Sequence, residues 1–482
     1  MKSSRVAVLL LAIAAVVAVA ALRGGGGGGG SGPGGSPKAP KGALRIVFNY
    51  SPEKEILLKP LIEEFNARHE QVGGKAVFVE GTPSSSGDDE AKLAKGSLEL
   101  TAWSPASSLW GRLLNYEADK KYVADTNPSI VRTPLVIAMW EPMARTLGYP
   151  GKPLGFDDIL KLARSPQGWA AYGRPEFGPF KLVHTNPDFS TSGLSAVVAE
   201  YYSAIGKREG LSVADVTNAT ARNAVKAIEQ SIVHYGDTTL FIADQMRKEG
   251  MGYASAVAME EATLLDFNRH RGSQPKLIAV YPKEGTFYSD SPFIVLDAPW
   301  VTDAEKQGAA AFQKFLAGRI TPELAAKSGF RSPDPNQKPV APISAALGAD
   351  PAQPTRVLGL PEPQVLAKIK STWRADRKPA NVLLVIDVSG SMSEENKLEQ
   401  AKRGLLSFLR EVAPQDRVGL TSFSTDITPL VPIAPIRDNI DRLRQTVSVL
   451  TADGETTLYD ATAAAVDQVR KIIDTCRINA VV

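Results

Sequence analysis

Five consecutive apolar residues, Val382-Leu383-Leu384-Val385-Ile386, run without a polar interruption into Asp387-Val388-Ser389-Gly390-Ser391. An apolar run without alternation suits a central parallel strand covered on both faces. Parallel strands need crossover helices, so this stretch demands an α/β layer around it. The neighbouring sequence supplies one. Leu398, Ala401, Leu405, Phe408, Leu409 and Val412 recur at helical spacing, Arg417 to Phe423 reads as a strand, and Thr428 to Ile433 as another. Asp438 to Leu450 and Leu458 to Thr475 read as helices.

Asp387, Ser389 and Ser391 alternate after the strand, so in an extended loop they point the same way. In open α/β sheets, ligands gather outside the carboxyl ends of the strands. One carboxylate and two hydroxyls make a set of hard oxygen donors suited to Mg²⁺, or to Mn²⁺ or Ca²⁺. The alternative is a turn that caps the following helix. Downstream lies Asp453-Gly454-Glu455-Thr456-Thr457-Leu458-Tyr459-Asp460-Ala461. Together the two motifs resemble the von Willebrand factor A domain and its metal-ion-dependent adhesion site. The resemblance implies a Rossmann-like fold with Asp387, Ser389, Ser391 and Thr456 as metal ligands. Thr457 is an adjacent candidate. Glu455 stands where the family has glycine, and Asp460 is assigned to local support of the fold. The family's last metal-site aspartate follows a strand that here begins at Ile478-Asn479-Ala480-Val481-Val482. The domain, 379–482, is therefore expected to be the first part of a truncated one. The metal would coordinate an acidic side chain of a partner protein.

An earlier α/β pattern occupies 43–345. Leu44 to Phe48 reads as a strand, and Ser51-Pro52 opens a helix with Leu58, Leu61, Ile62 and Phe65 on one face. Ala76 to Glu80, Leu98 to Ala102 and Pro134 to Met139 read as further strands, and Asp157 to Ala163 and Ser192 to Ile205 as helices. This is too much chain for one simple sheet, so two lobes are expected. Thr101 to Pro105, Ser129 to Met139, His184 to Pro187, Ser190 to Gly193 and Tyr281 to Thr286 follow in an order that resembles extracellular solute-binding proteins of bacterial transporters. The resemblance implies a two-lobed periplasmic-binding-protein-like (type II) fold with a small-molecule or protein ligand in its cleft. Trp103, Ser104, Asn186, Ser190, Thr191 and Ser192 are the candidate ligand residues. For Trp103 the alternative is core packing, and for Ser190 to Gly193 it is helix capping. No basic or acidic cluster in the sequence names the ligand's charge. Prolines at 351, 354, 361 and 363 mark 346–378 as a connector, with a short helix from Gln364 to Arg374.

At the N-terminus Lys2 and Arg5 precede an uncharged apolar run, Val6 to Leu22, closed by Arg23. A basic start before such a run reads as an export signal. The run sits at the short limit of the roughly 17–25 residues needed to span a bilayer. Residues 1–23 are expected to be an uncleaved anchor, or else a cleaved signal peptide with release of the rest. The Gly/Pro-rich stretch 24–42 is a flexible spacer. The expected location is the cell membrane, single-pass, with extracytoplasmic domains.

The net charge is +3 over 482 residues, with no block of like charges, so a nucleic-acid footprint has no support. Cys476 is the sole cysteine, which excludes an internal disulfide and is expected to be a buried thiol. The four histidines are scattered, and no nucleophile–base pair or phosphate-binding loop is visible. An enzyme is not expected. A membrane-tethered adhesion protein and a transporter-associated solute receptor are the functions in contention. Nearly the whole chain resembles bacterial membrane proteins that join a solute-binding-like domain to a von Willebrand factor A domain.

Overall fold

The computed structural model describes residues 39–482 except 473 and 475, and leaves the side chain of residue 411 undescribed. The expected anchor and most of the spacer fall outside the described residues. Among these, no helix is long and apolar enough to cross a membrane. The chain forms two compact units, one ending at Asp376 and the other comprising Arg377–Val482.

The first unit holds two sheets. In lobe one, β1 (Leu44–Tyr50) runs parallel to β3 (Lys75–Pro83) and β4 (Ala102–Ser104). The short β2 (Gln71–Val72) pairs antiparallel with β3, and β11 (Ile294–Val295) antiparallel with β4. The apolar face foreseen on helix Glu55–Ala67 is buried, with Leu58, Leu61, Ile62 and Phe65 packed on Ile46, Phe48 and Phe312. Emptying any one of these Leu or Ile positions to Ala would cost about 2–5 kcal/mol.

Lobe two is built around β5 (Thr133–Trp140), buried along its whole length. β8 (Ala256–Glu260), β9 (Leu277–Val280) and β10 (Tyr288–Ser289) pair antiparallel with it. β6 (Leu182–Thr185) lies parallel to β8 and to β7 (Ile232–Gly236). Two expectations shift here. The strand foreseen at Leu98 to Ala102 instead begins at Ala102, where pairing partners from β1 and β11 become available. The stretch 346–378 is more than a connector: the short helix foreseen at Gln364 to Arg374 spans Pro363–Asp376 and packs into the first unit. Helix Pro363–Asp376 buries Val365, Leu366, Ile369 and Trp373, and the first unit ends only with this helix. Prolines are compatible with this because Pro363 stands at the helix's first residue.

The second unit has the strand order β14-β13-β12-β15. β12 (Ala380–Asp387) is parallel to both β13 (Arg417–Phe423) and β15 (Ile478–Val481), while β14 (Ile427–Pro435) is antiparallel to β13. The unbroken apolar run now has its reason. Val382, Leu384 and Ile386 pack with Leu398, Leu409, Leu443 and Val447. Leu383 packs instead with Ala465 and Val469 of helix Leu458–Arg470. Cys476 lies beyond that helix and is exposed, contrary to expectation, because the helix ends before reaching it.

Candidate functional sites: an interlobe cleft and a hydroxyl-rich loop cluster

Four helix starts meet where the lobes of the first unit face each other. Ser51 stands just before the short helix Pro52–Lys54, Ser85 before Ser86–Ala94, Ser190 before Thr191–Ile205, and Thr238, whose hydroxyl accepts the Phe241 amide, before Thr239–Glu249. Each follows a strand end, or lies a few residues beyond one, which is where α/β sheets place their ligand loops. Gly193 is required at one of these starts. A Cβ there would stand 2.0 Å from the carbonyl oxygen of Thr185 at the end of β6.

The lobes are closed on one another. Trp110 Nε1 donates to Thr191 Oγ1 at 2.7 Å, and the Gly87 amide donates to the Phe189 carbonyl at 2.7 Å. The cavity left between them is about 20 Å³, room for about one water. Three carboxylates line it: Glu53 from lobe one, and Asp237 and Glu260 from lobe two. Glu260 accepts from Thr239 Oγ1 at 2.9 Å, and Glu53 from Ser51 Oγ at 2.5 Å. Burial, reinforced by the charge of Glu53, pushes Glu260 up to about 7. Burial also raises Asp237.

Behind this floor Lys54 is fully buried. Its Nζ donates to the Ser104 carbonyl and hydroxyl, both at 2.7 Å, and to the Pro105 carbonyl at 3.0 Å. Burial pushes it down to about 7, against the opposing charges of Glu53 and Asp290.

Of the candidate ligand residues, the structure brings Ser190 and Thr191 to the cavity. The others do not line it. Trp103 is fully buried in β4, opposite Asn49 and Ile294, so the core-packing alternative holds. Ser104 is occupied by Lys54. Asn186 shapes its own loop: its Oδ1 accepts from the Asp188 amide and its carbonyl from the Phe189 and Ser190 amides. Ser192 Oγ is buried 2.8 Å from Thr185 Oγ1. The sequence reading missed Glu53, Asp237 and Glu260 because nearly all of their separation is closed by folding. The available signal was that each lies at or just beyond a strand end, Glu260 as the last residue of β8.

The second site is at the carboxyl end of β12. Asp387 Oδ1 accepts the Ser389 amide at 2.7 Å, and the Ser389 and Ser391 hydroxyls are 3.2 Å apart. The other motif loop is tied to this one. The Gly390 amide donates to the Gly454 carbonyl, and the Asp453 amide to the Val388 carbonyl, both at 2.8 Å. A third loop joins through Thr425 Oγ1, which accepts the Glu455 amide at 2.9 Å. Thr456 is exposed on this rim, whereas Thr457 Oγ1 is committed to the Ser424 carbonyl at 2.8 Å. That favours Thr456 over Thr457 as an available donor. Among the described residues no group of three or more His, Cys, Asp or Glu could hold a metal. A cation here would therefore rely on Asp387 and hydroxyl oxygens, a donor set that fits hard ions such as Mg²⁺.

Known proteins share both parts. The family model described as bacterial extracellular solute-binding protein matches residues 48–331, and that of the von Willebrand factor type A domain matches 382–479. An uncharacterized protein of Mycobacterium tuberculosis is 22% identical over 414 residues, covering 83% of this chain and 58% of its own length. Inter-alpha-trypsin inhibitor heavy chain H4 of Homo sapiens is 36% identical over 90 residues, which are 18% of this chain and 10% of that protein. The chain thus spans only part of these relatives. Among solved structures, the periplasmic binding protein AfuA from Actinobacillus pleuropneumoniae has 14% identity and a TM-score of 0.48, covering 70% of this chain and 99% of its own. A periplasmic thiamin binding protein has 12% identity and a TM-score of 0.48, covering 71% and 99%. With a family model matched over more than half its length, the chain belongs to the bacterial extracellular solute-binding protein family and carries a von Willebrand factor type A domain behind that module.

Proposed function

We propose that the protein is a two-part binding protein in which the hydroxyl-rich loops of the second unit recognise a partner protein through a divalent cation. The observation that carries this reading is the hydrogen-bonded union of the Asp387–Ser391 and Asp453–Thr456 loops at one strand end. Asp387, Ser389, Ser391 and Thr456 would hold Mg²⁺. When bound, the ion supplies an open position for a carboxylate of the partner. The chain's own part is to hold Ser389 and Ser391 side by side and to keep the Asp387 carboxylate fixed through the Ser389 amide. Capture of partners with the wild-type protein and with Asp387→Asn, each with and without Mg²⁺, tests it. Mg²⁺-dependent capture lost in the variant is the expected result, and Mg²⁺-independent capture would overturn it.

For the cleft we propose a small ligand that is cationic or rich in hydrogen-bond donors. Glu53, Asp237 and Glu260 would repel an oxyanion, although the helix starts around them are positively polarised. Thermal unfolding with a diamine and with inorganic phosphate separates the two charges. Stabilisation by phosphate alone would refute the assignment. The closed two-lobed cleft also favours a second reading, a solute receptor for a transporter. Such a receptor would bind its ligand unimpaired in Asp387→Asn and be recovered with an integral-membrane permease.

Tethering outside the cytoplasm through Val6 to Leu22 completes the proposal. Membrane fractionation with external protease tests it, and intact cytosolic protein would contradict it.

A further inference from the structure

We propose that the helix Pro363–Asp376 is a latch that holds the interlobe cleft closed, and that its release from lobe one lets the cleft open. The helix grips both lobes. On lobe one, Lys370 Nζ lies 3.8 Å from Glu90 and from Glu117 and 5.5 Å over the Trp110 ring. Glu362, just ahead of the helix, pairs with Arg112 at 3.0 Å. On lobe two, Trp373 Nε1 donates to Glu229 Oε2 at 2.8 Å, Asp376 takes both arms of Arg222 at 2.8 Å, and Arg374 pairs with Asp188 at 2.9 Å.

Two of these partners are the cleft's own closing elements. Trp110 reaches across to Thr191, and Asp188 precedes Phe189, whose carbonyl takes the Gly87 amide. A helix fixed to both sides of a closed cleft resists its opening, because the lobes cannot part without breaking one set of contacts.

The two grips are unequal. The lobe-two contacts are hydrogen bonds at normal length, one of them a two-armed guanidinium–carboxylate pair. The lobe-one contact made by the helix itself, at Lys370, is looser, and the Glu362–Arg112 pair just ahead of the helix is exposed. Both Glu90 carboxylate oxygens are buried without a hydrogen-bond partner, and Lys370 stands beyond hydrogen-bond reach. Burial pushes Glu90 up to about 7, so its attraction for Lys370 is incomplete at neutral pH. Opening therefore breaks at lobe one, and the helix travels with lobe two. The same helix ends at Asp376, immediately before the second unit begins in the chain. The inference stands whichever ligand the cleft takes.

Hydrogen exchange on the full chain tests it. The Gly87 amide reports cleft opening and the β1 amides report folding of lobe one. In Lys370→Gln, Gly87 exchange is expected to accelerate about tenfold or more while β1 stays protected. Glu362→Ala, which alters an exposed pair, is expected to shift Gly87 in the same direction by less, and decides the matter if Lys370→Gln also loosens β1. Unchanged Gly87 exchange in Glu362→Ala together with unchanged exchange in, or loosened β1 of, Lys370→Gln would overturn the latch.

Discussion

Trp110 Nε1 and Thr191 Oγ1 lie 2.7 Å apart, in residues that belong to different lobes and are both buried. The bond exists only while the cleft is closed. Trp110→Phe removes the donor but keeps most of the ring packing. A net hydrogen bond contributes about 1 kcal/mol, and a buried orphan costs about 1–3 kcal/mol. Urea unfolding of Trp110→Phe, Thr191→Val and the double variant should give a coupling energy of about 1 kcal/mol. Strict additivity would mean that the lobes are open in solution.

Gly87 offers a sharper handle. A Cβ there would meet the Asp188 carbonyl oxygen and the Trp110 ring at 2.5 Å, and the Phe189 Cα at 2.8 Å. Alanine itself favours the helix Ser86–Ala94 that contains this position. Gly87→Ala should therefore hold the lobes apart, while within lobe one the Trp110 ring must shift to admit the methyl group. Small-angle scattering should report a larger radius of gyration than wild type. An identical scattering curve would show that the closure contact yields without opening.

How far the sequence reaches differs between the two units. Around β12 the fold was legible, and so was the meeting of the two motif loops. The apolar run, the alternating Asp387, Ser389 and Ser391, and the second loop at Asp453 each encode their surroundings within a few residues. The cleft was less legible. Ser190 and Thr191 were found because a helix start after a strand is a local signal. Glu53, Asp237 and Glu260 converge only through the packing of two sheets, and no short pattern in the chain marks them. Trp103 misled for a related reason: a strand of only three residues, Ala102–Ser104, does not announce which face is buried. The latch helix itself was legible from Gln364 to Arg374, but the prolines around it read as a linker, and its packing shows only where Leu366, Ile369 and Trp373 are buried.

His234 makes a stability prediction. Its Nδ1 lies 2.6 Å from the Tyr253 hydroxyl, and burial pushes its pKa down from 6.5 to about 4. Between those values the unfolded chain binds the proton and the folded chain does not. The contribution is thus complete above about pH 6.5 and lost as pH falls toward 4. Its size is on the order of 3 kcal/mol, at 1.36 kcal/mol per pKa unit. Unfolding of wild type and His234→Gln should converge as pH is lowered through this window. A constant difference in stability would contradict a buried neutral imidazole.

Glu260 sets a pH dependence of opposite origin. Its folded pKa of about 7 leaves it partly protonated at neutral pH. Raising the pH through 7 adds negative charge to the cleft. A diamine should then bind more tightly at pH 8 than at pH 6, and Glu260→Gln should flatten that dependence. Calorimetric titration at the two pH values measures it. Tighter binding at pH 6 would argue for an anionic ligand.

The metal proposal turns on separating two roles of Asp387. As a turn residue it accepts the Ser389 amide at 2.7 Å, and as a ligand it supplies the set's one carboxylate. Asp387→Ala removes both roles and cannot tell them apart. Asp387→Asn keeps an acceptor for the amide and removes the charge. If the residue only shapes the turn, Asn should be tolerated, since a net hydrogen bond of about 1 kcal/mol is retained. If it binds a hard cation, Asn should abolish measurable Mg²⁺ binding with little change in unfolding temperature, because hard divalent ions depend on ligand charge. Ser389→Ala and Ser391→Ala each remove one neutral oxygen from a pair 3.2 Å apart, so each should weaken binding by less than Asp387→Asn does. Thr456→Ala should behave like the serine variants, whereas Thr457→Ala should instead lower stability, because it gives up the bond to the Ser424 carbonyl. Calorimetry with Mg²⁺ and Mn²⁺, run beside thermal unfolding of each variant, reads both quantities. Unaltered metal binding in Asp387→Asn would reduce the alternating Asp and Ser residues to a helix cap and leave partner recognition without its cation.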